Sequence, residues 1–196
     1  MIRNDEEYAR VLEQLRELYA EQEEKTPQYQ ERGISISASA DEASEPAKKK
    51  RNRKIGRGIL KQNTKSTGEL AELAYMYVAG KNGIANAKPY GDSLPFDQIA
   101  ITPGLYHLHK VQVRCTAHSK NFIYAVSLMK SGGTKRYEPH EFDFLAALIL
   151  PEDAWYIIPF EELPPTNEVY LHPRLQPGQV LGRCDAFRDR WDLLKK

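Results

Sequence analysis

The first regular hydrophobic pattern lies near the start of the chain. Across residues 6–23, apolar side chains recur at spacings of three and four with charged side chains between them, which is typical of an amphipathic helix. A single helix of this length cannot bury its apolar stripe by itself. We therefore expect this helix, within a segment 1–25, to pack on the rest of the chain or on another protein.

A second helical pattern begins at Ser66. Glu69 follows three residues later, as in a capping box, and an apolar stripe with helical spacing then continues to Val78. Glycines at positions 80 and 83 predict the end of this helix. Between the two helices, residues 26–65 contain almost no large apolar side chain, which predicts a disordered linker.

The rest of the chain has the patterns of several strands and two further helices. Residues 154–160 are rich in Trp, Tyr and Ile and predict a strand. The apolar segment 142–150 lies between two prolines, which favours a short buried helix, and residues 187–194 predict a weaker helix. The core order αβββαβ predicts an α/β domain around one mixed sheet over residues 66–196. The other predicted strands are 84–88, 96–101, 108–116 and 122–128.

The composition fits one domain with a tail. The chain has 196 residues, of which 41% are hydrophobic and 28% charged, and this balance indicates a soluble globular protein with some disordered length. No apolar run approaches the roughly 18–20 residues of a membrane span. The charged N-terminal sequence is unlike a signal peptide, and the two cysteines suit reduced thiols. We therefore expect a cytoplasmic protein.

The positive charge is concentrated in one segment. Residues 47–67 hold 9 basic and no acidic side chains, although the whole chain has a net charge of only +1. Such a segment attracts a polyanion through salt-dependent phosphate contacts; the alternative is a solvated linker that its charge keeps soluble. The candidate nucleic-acid contacts are Lys48, Lys49, Lys50, Arg51, Arg53, Lys54, Arg57, Lys61 and Lys65.

The predicted strand 108–116 carries the side chains with the most evident chemistry. Its period of two places Lys110, Gln112 and Arg114 on one face. The preceding strand begins near Asp97, so a hairpin would bring the Asp97 carboxylate beside Gln112. The Asp97 carboxylate, the amide oxygen of Gln112 and a strand carbonyl would supply the oxygen ligands that Mg²⁺ requires. The alternative is a water-facing side of the sheet with ordinary polar residues.

Five short segments occur in the same order as the motifs of a known family: 68–72, 89–93, 95–97, 111–114 and 155–159. They resemble the PD-(D/E)xK nuclease superfamily, and within it the branch of group I intron-associated homing-endonuclease-like proteins. The resemblance covers residues 66 to about 195. It implies a restriction-endonuclease-like core that hydrolyses DNA phosphodiesters with Mg²⁺ or Mn²⁺.

The resemblance also implies roles for particular side chains. Glu72 would be the helix carboxylate, Asp97 the principal metal ligand and Gln112 the second ligand. Arg114 stands where the family has a lysine that positions the attacking water. A guanidinium cannot act as a base, but it can stabilise charge that develops on phosphoryl oxygens. Ser93, in the 89–93 turn, is a further candidate DNA contact.

Arg114 leaves two functions open. One is an endonuclease weakened by the loss of the lysine, and the other is a catalytically silent DNA-binding or partner-binding module that keeps the nuclease fold. Glu72 also has an alternative, because a helical wheel places it nearly opposite the apolar stripe and therefore toward solvent. The oligomeric state is open, with a homodimer as one option.

Overall fold

The computed structural model describes residues 2, 4–25, 57–91, 93–104, 107–130, 133, 135–175, 178 and 180–196, with only the backbone described at 22–25 and 57–65. The predicted linker therefore lies outside the described residues as far as residue 56. The basic side chains from Lys48 to Lys54 lie outside them as well. The side chains of Arg57, Lys61 and Lys65 are likewise not described.

Two long helices, α1 (Asp5–Lys25) and α2 (Arg57–Lys81), pack against each other. Leu12 and Leu15 of α1 are buried in the core that α1 shares with α2, so the prediction that this helix packs on the rest of the chain is confirmed. The sequence predicts that the second helix begins at Ser66, after a linker that extends to residue 65. This prediction is wrong, because α2 begins at Arg57. Residues 57–65 include Lys, Arg, Gln and Leu, which are good helix formers. The positive charge of the segment favours a linker instead.

A mixed sheet of five strands lies against these helices. Its order is β1 (Ala85–Ala87), β2 (Gln98–Ile101), β3 (Leu108–Thr116), β6 (Phe144–Ile149) and β7 (Ala154–Pro159). Strand β3 pairs antiparallel with β2 and parallel with β6. The predicted α/β class with a central mixed sheet is confirmed.

The predicted helix over residues 142–150 is wrong, because most of this segment forms β6. Leu145, Ala147 and Ile149 face one hydrophobic cluster, whereas Ala146 and Leu148 face the other. A strand that is buried on both faces has a continuous apolar sequence, which periodicity alone does not distinguish from a buried helix.

The prediction of one sheet is also wrong. Strands β4 (Ser119–Lys120), β5 (Ile123–Ser127) and β8 (Glu168–Leu171) form a second sheet of three strands. The β4–β5 turn contains Asn121 and Phe122 with positive φ angles of 53° and 60°. Residues from this second sheet contribute to the cluster on the face of the main sheet opposite the helices.

The chain ends in two short 3-10 helices, Arg183–Phe187 and Trp191–Lys195, and not in the single helix that the spacing predicts. Trp191 and Leu194 pack in the core with α1 and α2, whereas Phe187 packs against the opposite cluster. Within the part of the chain that the structure describes, no helix is long and apolar enough to span a membrane.

Candidate active site

Asp97 lies where β2 begins, beside the middle of β3. Its backbone N–H donates to the carbonyl oxygen of Val111 at 3.0 Å, which continues the pairing of Gln98 with Val111. Its Oδ2 atom accepts a hydrogen bond from the backbone N–H of Val113 at 2.9 Å and another from the amide of Gln112. The structure therefore brings the Asp97 carboxylate to β3, as the hairpin argument predicts.

Glu72 reaches the same region from α2. Only 17% of its side chain is exposed, and its Oε2 atom lies 2.8 Å from the ammonium nitrogen of Lys88. The same oxygen accepts a long hydrogen bond of 3.5 Å from the amide of Gln98. The alternative in which Glu72 faces solvent is therefore wrong. The helix and the sheet each contribute one carboxylate to this region.

The two carboxyl groups resist ionisation. Burial raises the pKa of Asp97, although the hydrogen bond from Val113 and the charges of Arg114 and Lys88 oppose that rise. Burial also raises the pKa of Glu72; the hydrogen bond with Lys88 opposes this shift, and the negative charge of Asp97 adds to it. Partly buried carboxylates of this kind are stabilised by a cation placed between them.

Two amide side chains complete the polar centre. Gln112 is 3% exposed and Gln98 is fully buried. The Gln112 amide nitrogen faces the Asp97 carboxylate, so its oxygen would face a cation only after a half-turn of the amide. Among the described residues, the Oε1 atom of Gln98 has no hydrogen-bond partner. An unpaired buried oxygen on a side chain that contacts the Glu72 carboxylate is suited to a bound cation or to its water.

Arg114 is held away from the carboxylates by neutral oxygen atoms. Its guanidinium donates to the hydroxyl of Tyr137 at 2.7 Å, to the carbonyl of Met129 at 3.4 Å and to that of Val113 at 3.2 Å. It also lies over the Tyr137 ring, 5.5 Å from the centroid. Its charge still lowers the pKa of Asp97, but its donors are largely occupied by the protein.

Two residues of this centre, Lys88 and Gln98, are not predicted from the sequence. Lys88 follows β1, and the pairing of Ala87 with Ile99 makes Gln98 the next residue opposite Lys88. Gln98 also alternates with Ala100, which belongs to the core packed against α2. A glutamine at a core position of a predicted strand is the one sequence feature that points to Gln98 as a site residue.

Ser93 and Lys110 have other surroundings, and the basic side chains that are predicted to contact DNA lie outside the described residues. Ser93 is exposed in the segment between β1 and β2, and its role stays a prediction. Lys110 shares a strand with Gln112, but its ammonium donates to the carbonyl of His140 at 2.6 Å and lies 3.7 Å from Asp143.

The chemistry of the site fits a hard cation. No group of three or more His, Cys, Asp and Glu side chains in the described residues is arranged to hold a metal ion. The available donors here are the carboxylates of Asp97 and Glu72 and the amides of Gln98 and Gln112. All four side chains carry oxygen, which is the ligand atom that Mg²⁺ and Mn²⁺ take, although Gln112 would first have to turn its amide.

Comparison with known proteins gives a consistent result. A family model described as PD-(D/E)XK endonuclease matches residues 62–187, more than half of the chain. A solved structure of a bacterial homing endonuclease, I-Ssp6803I, is similar with a TM-score of 0.56 and 28% sequence identity. The similarity covers 67% of this chain and 91% of that chain. No match was found among curated protein sequences.

Proposed function

Since the chain belongs to the PD-(D/E)XK endonuclease family, we propose that it is a metal-dependent endonuclease that hydrolyses phosphodiester bonds of DNA. The observation that supports this proposal most directly is the convergence of Glu72 and Asp97 from two elements. Both carboxyl groups have raised pKa values, and Gln112 contacts one of them. A cation bound between these two groups would offset the cost of ionising them.

Asp97, Glu72 and Gln112 would hold Mg²⁺ or Mn²⁺, with Gln98 as an additional oxygen donor. When bound, such an ion polarises a phosphoryl oxygen and lowers the pKa of a bound water. The chain itself fixes the position of the ligands. The Val113 N–H holds the Asp97 carboxylate at 2.9 Å, so Asp97 requires little rearrangement.

Arg114 would stabilise negative charge on the scissile phosphate. A guanidinium cannot accept a proton from water, so Arg114 would act as a positive charge and not as a base. The contacts to Tyr137 and Met129 fix its position before substrate binds, and a fixed cation is more effective at stabilising a developing charge than a mobile one.

The test is cleavage of a supercoiled plasmid with Mg²⁺ or Mn²⁺ by the full chain and by Asp97→Asn. We expect metal-dependent nicking by the parent and a loss of about 100-fold or more in the variant, since the variant removes a direct metal ligand. Asp189→Asn is a matched control, because Asp189 is exposed and has a positive φ of 53° that asparagine also tolerates. Parent-level nicking by Asp97→Asn would contradict the assignment of the site.

The second candidate is a module that binds DNA without cleaving it. The observation in its favour is Arg114, which occupies the place of the family's lysine and uses its donors on Tyr137, Met129 and Val113. A protein that binds DNA and Mn²⁺ but leaves supercoiled plasmid intact under all metal conditions would favour this module over the enzyme.

A further inference from the structure

We propose that Lys88 supplies the catalytic ammonium of this site, donating hydrogen bonds to the attacking water and to a non-bridging oxygen of the scissile phosphate. This inference rests on the proposed nuclease function and assigns to a residue after β1 the role that the resemblance places at the position of Arg114. Lys88 lies outside the five motif segments and directly precedes the segment 89–93.

The sheet register places Lys88 on the carboxylate side of β2. Ala87 pairs with Ile99 in the antiparallel β1–β2 ladder, so Lys88 is opposite Gln98. Opposite residues of an antiparallel pair project to the same face, and Gln98 faces α2, where it contacts Glu72. The ammonium nitrogen of Lys88 accordingly lies 2.8 Å from Glu72 Oε2. Its charge also acts on Asp97.

Lys88 remains accessible to a substrate, since 52% of its side chain is exposed. The strand that it follows, β1, is at the edge of the main sheet. Among the described side chains, the structure gives its ammonium one close partner, the Glu72 carboxylate. A lysine ammonium has three donors on a flexible stem, so two donors can be directed to water and phosphate.

Arg114 differs from Lys88 because the protein binds most of its hydrogen-bond donors. Its guanidinium is tied to the Tyr137 hydroxyl, to two carbonyl groups and to the Tyr137 ring. The arginine thus acts as a fixed charge, and the compact mobile cation of the site is the lysine on the other side of the carboxylates.

A simpler role for Lys88 makes a different prediction. If Lys88 only neutralises Glu72 when no metal is bound, its removal leaves an unpaired carboxylate, which strengthens cation binding and does not slow cleavage. If Lys88 contacts water and phosphate, its removal slows cleavage even when the cation is bound at least as tightly. The two roles therefore separate when rate and metal affinity are measured together.

The experiment uses the full chain and the variants Lys88→Met and Lys88→Arg. Lys110→Met is the control, because Lys110 is a partly exposed strand lysine that also faces a carboxylate, Asp143. The single-turnover rate of plasmid nicking is measured at saturating Mn²⁺, Mn²⁺ affinity is measured by calorimetry without DNA, and Tm confirms that each variant folds.

For Lys88→Met we expect a rate about 10²–10³-fold lower, the usual loss when one donor to a transition-state oxygen is removed. Mn²⁺ affinity should be unchanged or higher, Lys88→Arg should recover part of the rate, and Lys110→Met should match the parent. Parent-level nicking by Lys88→Met overturns the inference and leaves the nuclease function intact. The same holds if Lys88→Met binds Mn²⁺ more weakly and its loss of rate is no larger than this weaker binding explains. A parent protein that binds Mn²⁺ but never nicks DNA overturns both.

Discussion

The Asp97 carboxylate has an unfavourable environment when no cation is present. Its pKa is raised mainly by burial, so the folded state binds the proton of this group more tightly than the unfolded state. The free energy of unfolding therefore falls as pH rises from about 4, the usual aspartate value, through the raised folded pKa. A bound cation removes this cost, because it favours the ionised form.

We therefore expect Asp97→Asn to raise the Tm of the metal-free protein at pH 7, because the variant removes a carboxyl group whose pKa is raised by burial. Asparagine keeps an oxygen acceptor for the N–H of Val113, and Gln112 can rotate its amide to match. The increase should vanish near pH 4. Differential scanning calorimetry with and without Mg²⁺ should also show that Mg²⁺ stabilises only the parent. A lower Tm for the variant at pH 7 would contradict this account.

Tyr137 controls the position of Arg114. Its hydroxyl accepts the shortest of the guanidinium hydrogen bonds, at 2.7 Å. In Tyr137→Phe the guanidinium loses this acceptor, and we expect it to turn toward Asp97, the anion on which its charge already acts. Competition between Arg114 and the cation should weaken Mn²⁺ binding about 3- to 10-fold, equivalent to roughly 1 kcal/mol.

The Mn²⁺ affinity of Tyr137→Phe is compared by calorimetry with that of Tyr170→Phe, since Tyr170 is exposed on β8 and bonds to Glu168. Equal affinities in the two variants would show that Arg114 does not move toward the carboxylate.

At the scale of elements, helix α1 is part of the core and not an appendage. Leu15 is fully buried and Leu12 is 5% exposed, while the Tyr8 hydroxyl donates to Asp153 at 2.9 Å. We expect Leu15→Ala to lower the free energy of unfolding by about 2–5 kcal/mol, through lost burial and the cavity that remains.

Urea denaturation measures this loss directly. Glu17→Ala is the control, because Glu17 is exposed on the same helix and alanine favours helix formation. Similar unfolding midpoints for Leu15→Ala and Glu17→Ala would mean that α1 contributes little to the stability of the domain.

The elements that the sequence predicts well are those with a local signal. Strand β3 alternates polar and apolar side chains, and its predicted bounds agree with the observed ones, 108–116. The turn that leads from β2 into β3 places Asp97 beside Gln112. Strand β6 has no such alternation because both of its faces are buried. The position of Lys88 depends on the register of β1 against β2, which no local pattern encodes, and so the sequence does not place it in the site.

At the scale of the whole molecule, the basic charge and the carboxylate centre are separate in sequence. Residues 68–196 hold 14 basic and 15 acidic side chains, so this part has no excess of positive charge for DNA. We expect replacement of the six cations from Lys48 to Lys54 by glutamine to weaken DNA binding. The slope of log affinity against log salt should become shallower by about 0.9 for each phosphate that the variant no longer neutralises.

Anisotropy titrations over a series of salt concentrations give this slope. Arginine in place of the four lysines of the same segment is the control, since it keeps the charge and should keep the slope. Substitution is preferable to deletion of residues 1–65, because that deletion would also remove α1. An unchanged slope in the glutamine variant would assign the phosphate contacts to other parts of the chain.

The bond between Tyr8 and Asp153 spans 145 positions of the chain. During synthesis on the ribosome, α1 leaves the exit tunnel long before Asp153 and Trp155, which both contact Tyr8 of this helix. The strands of the carboxylate centre lie closer together in sequence and can pair before these partners of α1 have emerged. The nascent chain therefore presents an incompletely covered amphipathic helix until these residues emerge, at the usual rate of about 5–20 residues per second. This helix is the segment that chaperones are expected to encounter.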